Sequence, residues 1–433
     1  MPRLLLQGGR VIDPARGWDA QADVLIDEGR IIEIGSHLGP VDKVLDCRGL
    51  IVSPGWIDLH VATRDPGFEE DETTDTVTAA ALAGGFTTIA ALPDTQPVVD
   101  NRASVEYVTL QAERARHCRV LPLGAVTRDH AGQELADLGQ LADGGAVAFT
   151  DAKTPLQSAE IMRRALEYAR MFGRGIFTHP QDAALTTGGV MHEGYYSTVL
   201  GLRGMPAAAE QIMVTRDVAL AELTGGHVHL MCVTTQQAVE VIRAAKRRRL
   251  AVTADVAVHH LLLSDADVQS YDPHYKVNPP FRSEEHIAAL ISGLKDGTLD
   301  ALCSDHQPLA AEKTSREFDQ APFGIVGLET VLPLAVRALI EPGHLSWCEL
   351  ISKLTVGPAR VLGMPHLGTL APGVPADITI IHPTQEWTID PTKFYSKSRN
   401  TPFAGWRVRG RIYHVLVAGE HRYSCETGIQ PEP

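Results

Sequence analysis

Seven points in the middle of the chain end an apolar run with a side chain that can ligate a metal or move a proton. They are His60, Asp94, Asp151, His179, Cys232, His259-His260 and Asp305-His306. Neutral imidazole, carboxylate and thiolate are the usual ligands of zinc. Bound zinc lowers the pKa of its water to about 7 and polarises a carbonyl, which is what amide hydrolysis at neutral pH requires. A further carboxylate must then shuttle the proton. One such residue at the end of a strand is ordinarily structural. Seven together predict a metal site, present or ancestral.

Those ends must converge for any of this to matter. Apolar runs suited to buried parallel strands occupy 55–60, 86–92, 119–125, 145–150, 174–178, 227–233, 250–256 and 300–304. Helical patterns follow several of them: Thr76–Ala83, Ser104–His117, Ser158–Phe172, Thr235–Arg249 and Glu284–Leu294. In Ser158–Phe172, Ile161, Ala165, Tyr168 and Phe172 recur at spacings of three and four. Eight strands alternating with helices predict an α/β chain folded as a (β/α)₈ TIM barrel, whose active site lies at the C-terminal ends of the strands. The rival doubly wound sheet would carry a Gly-rich phosphate turn after its first strand. Gly55-Trp56-Ile57-Asp58-Leu59-His60 is not one.

Both ends of the chain have a different texture. Short β-like runs such as Asp23-Val24-Leu25-Ile26 and Arg30-Ile31-Ile32-Glu33-Ile34 fill the start, and Ala376–Ile381 and Arg411–Val417 the end. They predict a small composite β-sandwich domain from residues 1–53 and 365–433, around a barrel at 54–364.

The 433 residues carry 39 Lys plus Arg against 53 Asp plus Glu, a formal charge of −14. That balance argues against general phosphate-backbone binding, so no nucleic-acid partner is expected. The one basic run, Lys246-Arg247-Arg248-Arg249, closes a predicted helix, where cations complement the dipole. No apolar stretch approaches the ~20 residues of a membrane span. The six cysteines contain no CxxC pair and do not read as a disulfide framework. A cytoplasmic location follows as the expectation, with no membrane partner.

Longer strings carry a family resemblance. Pro54-Gly55-Trp56-Ile57-Asp58-Leu59-His60 with Arg64-Asp65-Pro66-Gly67 resembles the opening metal motif of dihydroorotases, in the amidohydrolase superfamily. Ala91-Leu92-Pro93-Asp94-Thr95-Gln96-Pro97 and Tyr275-Lys276-Val277-Asn278-Pro279-Pro280-Phe281-Arg282 are similar to segments of the same family. So are Ser304-Asp305-His306-Gln307-Pro308, Glu312-Lys313 and Ala321-Pro322-Phe323-Gly324-Ile325. The resemblance implies the reversible cyclisation of N-carbamoyl-L-aspartate to dihydroorotate in pyrimidine synthesis. It implies metal ligation by His60, Asp151 and His179, substrate binding by Arg64 and Asn278, and Asp305 as metal-linked general acid/base.

The departures bear on function more than the matches do. Where the family has His-x-His, this chain has His60-Val61-Ala62, and a methyl group cannot ligate a metal. Cys232 stands for the sixth-strand His, Asp94 for a substrate-binding Asn, Leu309 for a His, and Asp151-Ala152 for two aspartates. Pro180-Gln181-Asp182 replaces Cys-Glu-Asp or Ala-Glu-Asp. Asp151, His179 and Cys232 could still hold one zinc with an open position. Asp94 would repel the substrate carboxylate and pair with Arg64 itself. Each lost interaction with a buried charge costs ~1.5–3 kcal/mol, so several together remove orders of magnitude in rate.

Two readings follow. In the first the chain is a catalytically impaired dihydroorotase homologue that serves as structural partner of aspartate transcarbamoylase, as such proteins do in some bacteria. In the second it is a working dihydroorotase or related cyclic amidohydrolase with a reduced, single-zinc site. Either way one zinc ion or none is expected, with no organic cofactor, in a homo-oligomer. Outside this site, His259 and His260 are expected to hydrogen-bond at the barrel rim and Cys303 to pack in the wall. His117, His192 and His286 are expected to be solvated, and the loop at Glu312-Lys313 to be mobile or in partner contact.

Overall fold

The computed structural model describes residues 2–430. Seven barrel strands are regular: Trp56–Val61, Phe86–Ala91, Arg119–Pro122, Ile176–Thr178, Val228–Leu230, Val252–Ala257 and Ala301–Cys303. The first two are buried at every residue, as strands covered on both faces must be. The expected fourth strand is reduced to bridges at Phe149, with Gly124 on one side and Ile176 on the other. Its hydrogen bonds nevertheless run both ways: Thr150 donates to the Gly124 carbonyl at 2.8 Å and Phe177 to that of Phe149 at 2.8 Å. The ring closes between the eighth and first strands, where Ser304 N–H donates to Asp58 Oδ2 at 2.9 Å.

The helices start where caps dictate. Ser158 accepts from Ile161 N–H ahead of Ala159–Arg170, and Thr235 from Ala238 N–H ahead of Gln236–Arg247. Both helices bury residues at three- and four-residue spacing: Met162, Ala165, Leu166 and Ala169, then Ala238, Val239, Ile242 and Ala245. An eighteen-residue helix at Ala207–Thr224 was not among the expected ones. The basic run ends its helix as expected, with Lys246 on Asp300 at 2.6 Å and Arg248 on Glu222.

The two ends of the chain build one nine-stranded sheet. Ile51–Pro54 is its link, parallel to Leu4–Asp13 and antiparallel to Ile378–Thr388. Bulges between Leu6 and Gly9 and between His382 and Glu386 bend the strands. The bent sheet encloses Val11, Val24, Ile26, Ile31, Ile380 and Leu416. Among the described residues no helix is long and apolar enough to cross a membrane.

Candidate functional site at the barrel mouth

Asp255 organises the floor of the mouth. It is a fully buried carboxylate in the strand Val252–Ala257, and it must therefore find partners. Its Oδ2 accepts from His60 Nε2 at 2.7 Å and from His229 Nε2 at 3.0 Å. Its Oδ1 accepts from the Cys232 amide at 2.7 Å and faces the Cys303 thiol at 3.5 Å. Burial alone would raise this carboxyl, but His60 and then His229 hold it well below the usual carboxylate range. His60 is raised in turn: burial opposes, and Asp255 and Cys232 outweigh it.

Above this floor lies Lys153. Its ammonium is 2.6 Å from Asp305 Oδ1, donates to the Asn278 carbonyl at 3.1 Å, and is 3.6 Å from the Cys232 sulfur. Only 21% of its side chain is exposed. Burial opposes its charge, yet Asp305 and then Cys232 raise its pKa further. Asp305 is lowered reciprocally, against burial, by Lys153 and then His60. A fixed cation thus stands among the side chains expected to hold a metal.

The expected substrate residues do converge. Arg64, Asp94, Asn278 and Asp305 line one cavity of about 220 Å³ together with Lys153 and Gln307. That is smaller than the ~300–1,000 Å³ of most ligand pockets. Arg64 is already engaged: Nη1 donates to Asp94 Oδ2 at 3.1 Å and Nη2 to Gln307 Oε1 at 2.9 Å. The pairing expected between Arg64 and Asp94 is therefore what the structure has. Leu309 is buried, and its backbone N–H donates to Asn400. Left-handed backbone at Arg64, Ala152, Cys232 and Asp305 (φ between 47° and 62°) clusters at the same mouth. Such conformations cost of order 1–3 kcal/mol each and gather at functional sites.

Asp151 is not brought to this cluster, which corrects its expected role as a ligand. Its carboxylate accepts from Val126 N–H at 2.8 Å, Thr127 N–H at 2.9 Å and the Thr127 hydroxyl, so it ties down the preceding loop. The position that reaches the mouth is Lys153, two residues on. His179 stands nearby, hydrogen-bonded through Nε2 to Gln181 Oε1 at 3.2 Å. Gln181 in turn pairs with the Asn278 amide. Burial, then Lys153, pushes the His179 imidazole down to about 3, so it is neutral, and its Nδ1 has no protein partner.

Other expectations also change. His259 and His260 are buried, and His259 Nε2 and both nitrogens of His260 lack protein partners, in place of the rim hydrogen bonds expected. The rings pack on each other and on Phe281. His192 and His286 are buried, not solvated: His192 accepts from Arg282 and His286 from Gln236 N–H. Cys303 packs in the wall and also faces Asp255. Lys313 is held by Glu70 and Asp71, at 2.9 and 2.6 Å. Gly327 permits another approach: a Cβ there would lie 2.2 Å from the Ser304 carbonyl. Its N–H donates to His306 Nδ1 at 3.2 Å.

The donors fit metal chemistry incompletely. One atom each from His60, Cys232, Asp255 and Cys303 lies within 4.8 Å of the others, a potential metal-binding cluster of zinc-type donors. It is a closed four-donor set whose members already bond to one another. Hydrolysis needs three protein ligands and an open position for water. The trio expected for that role is broken by Asp151, and Lys153 holds the space beside Cys232 and Asp305. These residues do not fit an open catalytic zinc.

A family model described as "Dihydro-orotase-like" matches residues 49–238. A protein named dihydroorotase from Pelotomaculum thermopropionicum is 47% identical over 96% of this chain and 97% of its own length. One of the same name from Syntrophotalea carbinolica is 47% identical over 97% and 99%. Among solved structures, the L-hydantoinase (dihydropyrimidinase) of Arthrobacter aurescens superposes with a TM-score of 0.90 at 23% identity, covering 100% of this chain and 98% of that one. The dihydropyrimidinase of Brevibacillus agri NCHU1002 gives 0.85 at 24% identity, over 97% and 95%. At that identity the likeness is one of fold, a (β/α)₈ barrel carrying a β-sandwich domain.

Proposed function

The chain belongs to the dihydroorotase family, and from that premise we propose that its barrel mouth no longer interconverts N-carbamoyl-L-aspartate and dihydroorotate. On this reading it serves de novo pyrimidine synthesis in the cytoplasm as a homo-oligomeric structural partner of aspartate transcarbamoylase. The single observation that carries the reading is the Lys153 ammonium, 2.6 Å from Asp305. A general base or acid at Asp305 would have to exchange a proton with substrate, and here its carboxylate neutralises a fixed cation. Asp94 and Gln307 add to this by occupying both Nη nitrogens of Arg64, the donors a substrate carboxylate would need. The partner role is supported only by the contrast between a family likeness over nearly the whole chain and a mouth that departs from it.

The test uses one preparation of the full-length chain. Zinc content and dihydroorotate turnover are measured on the same sample, and the chain is co-expressed with aspartate transcarbamoylase and passed over a sizing column. Substoichiometric zinc, no turnover above the uncatalysed rate and co-elution are expected. Separate elution would remove the partner role.

A second reading, an active enzyme with a single metal, rests on the zinc-type donors His60, Cys232, Asp255 and Cys303 lying together, and it requires that closed set to give up one position to water. It requires stoichiometric zinc and a turnover that disappears in Asp305→Ala. That outcome would replace the first reading.

A further inference from the structure

A second cavity lies away from the mouth, between the barrel and the terminal β domain. It encloses about 350 Å³, within the range of small-ligand pockets. Four aromatic side chains, Trp387, Phe394, Tyr395 and Tyr423, form part of its walls beside the aliphatic Leu332 and Ile412. The Trp387 indole is fixed by donating Nε1–H to the Gly410 carbonyl at 2.9 Å. Gly410 makes this carbonyl available by adopting φ +87°, a conformation that a side chain would strain.

Two acids, Glu329 and Asp390, and two bases, Lys393 and Arg411, line this cavity, and the acids do not pair with Arg411. Arg407, Arg409 and Arg411 alternate along one strand. The first two share Glu386, at 2.6 and 3.0 Å. Arg411 lines the cavity with its guanidinium 5.8 Å from the Trp387 ring centroid, and among the described residues it has no carboxylate partner. The other cation there, Lys393, is 3.5 Å from Asp390. Glu329 lies at the base and does not serve Arg411. Its oxygens accept from Tyr395 and Ser396 N–H, both at 3.1 Å. Burial pushes its carboxyl up to about 8, so it is mainly protonated at neutral pH.

We propose that this cavity binds a small planar aromatic carboxylate, its ring against Trp387 and its carboxylate on Arg411. Flat aromatic walls favour a flat ring. A guanidinium without an acid favours an anion that can accept two parallel N–H bonds. A cationic ligand would meet Arg411 unfavourably, and a neutral ring would leave it unpaired.

The probe is benzoate, titrated into the full-length chain by calorimetry, with benzamide as the uncharged counterpart of the same shape. One benzoate per chain is expected. Benzamide, and benzoate with Arg411→Gln, should each bind at least about tenfold more weakly, or about 1.4 kcal/mol. Arg411→Lys keeps the charge without the fork and should fall between. Trp387→Leu should weaken benzoate without restoring benzamide. Arg64→Gln, at the barrel mouth, should leave benzoate affinity unchanged. Circular dichroism shows whether each variant folds, and Arg411 is only half-buried. No heat at about 10 mM benzoate, equal affinity in Arg411→Gln, or loss in Arg64→Gln instead would overturn the proposal. The first two outcomes leave the reading of the barrel mouth untouched, whereas loss in Arg64→Gln would count against that reading as well, because it would show Arg64 free to take a carboxylate.

Discussion

Two buried polar networks sit near each other in this barrel, and they differ in completeness. Around Arg282 the accounting closes. Arg282 donates to Thr234, His192 and the Met205 carbonyl, and Glu210 accepts four bonds from Thr234 and Thr235. Around Asp305 it does not. His60 Nδ1, His179 Nδ1, Asp94 Oδ1 and Gln307 Nε2 are buried without hydrogen-bond partners in the protein. Native proteins leave few such atoms, and each asks for a reason. The first network joins a long helix to the barrel. The second lies at the barrel mouth, where Lys153 and Asp305 neutralise each other's charge without satisfying every buried atom around them.

The comparison predicts unequal costs. Arg282→Ala should lower stability by about 3–5 kcal/mol, because it leaves Glu210 without its cation and strips donors from several acceptors. The urea midpoint measures this, and a loss under about 1 kcal/mol would mean the complete network is no stronger than the incomplete one. Lys153→Ala should cost less, about 1–3 kcal/mol, since the lysine side chain is 21% exposed and lines a cavity from which water can solvate the Asp305 carboxylate left behind. This variant also frees space between Asp305 and Cys232. Zinc should therefore raise its melting temperature more than that of the unmodified chain, and equal shifts would show that Lys153 does not guard the site.

The fold was legible because the periodicities agree with the burial. Ser158–Phe172 shows its helical face in sequence, and its cap and buried stripe match. The helix at Ala207–Thr224 was hidden because Glu210 and Asp217, two turns apart, both point inward and blur the apolar stripe. Most of the mouth was legible too, Asp94, His179 and Asp305 as strand-end residues and Arg64 and Asn278 through the family resemblance. What escaped were residues whose meaning is spatial. Asp255 carried a signal, a charge inside the run 250–256, but its partners come from three other strands. Lys153 follows Asp151-Ala152 in an exposed-looking loop, and nothing along the chain says that its ammonium reaches Asp305.

Acid should separate the networks further. His179 and His259 are held near 3 and 4, each first by burial. Unfolded histidine titrates near 6.5. Below that pH the unfolded chain binds protons that these two do not, so each removes up to about 1.4 kcal/mol per pH unit as pH falls toward its folded value. His60 has the opposite sign. Its raised pKa contributes stability that is fully present below the unfolded value and lost as pH rises through the folded one. Asp305, lowered, contributes stability that is present above the unfolded carboxylate value and lost as pH falls through its folded value. Urea midpoints should therefore fall between pH 6.5 and 5, and the fall should shrink in His259→Phe. An unchanged slope in that variant would show that a buried neutral imidazole is not the source.

The smallest effect on stability is expected at Asp94, whose side chain is 17% exposed beside Arg64. Asp94→Asn should change the melting free energy by no more than about 1 kcal/mol, as for other partly exposed pairs. Its value lies in what it separates. The substitution keeps an acceptor for Arg64 but removes the negative charge that faces an incoming carboxylate. Dihydroorotate should then bind measurably by calorimetry, whereas the unmodified chain should give little heat. Turnover should stay absent, because Lys153 still holds Asp305 and Gln307 still holds one edge of Arg64. If turnover appeared with this single change, charge at the substrate end alone would have been silencing the mouth, and the lysine would be a bystander.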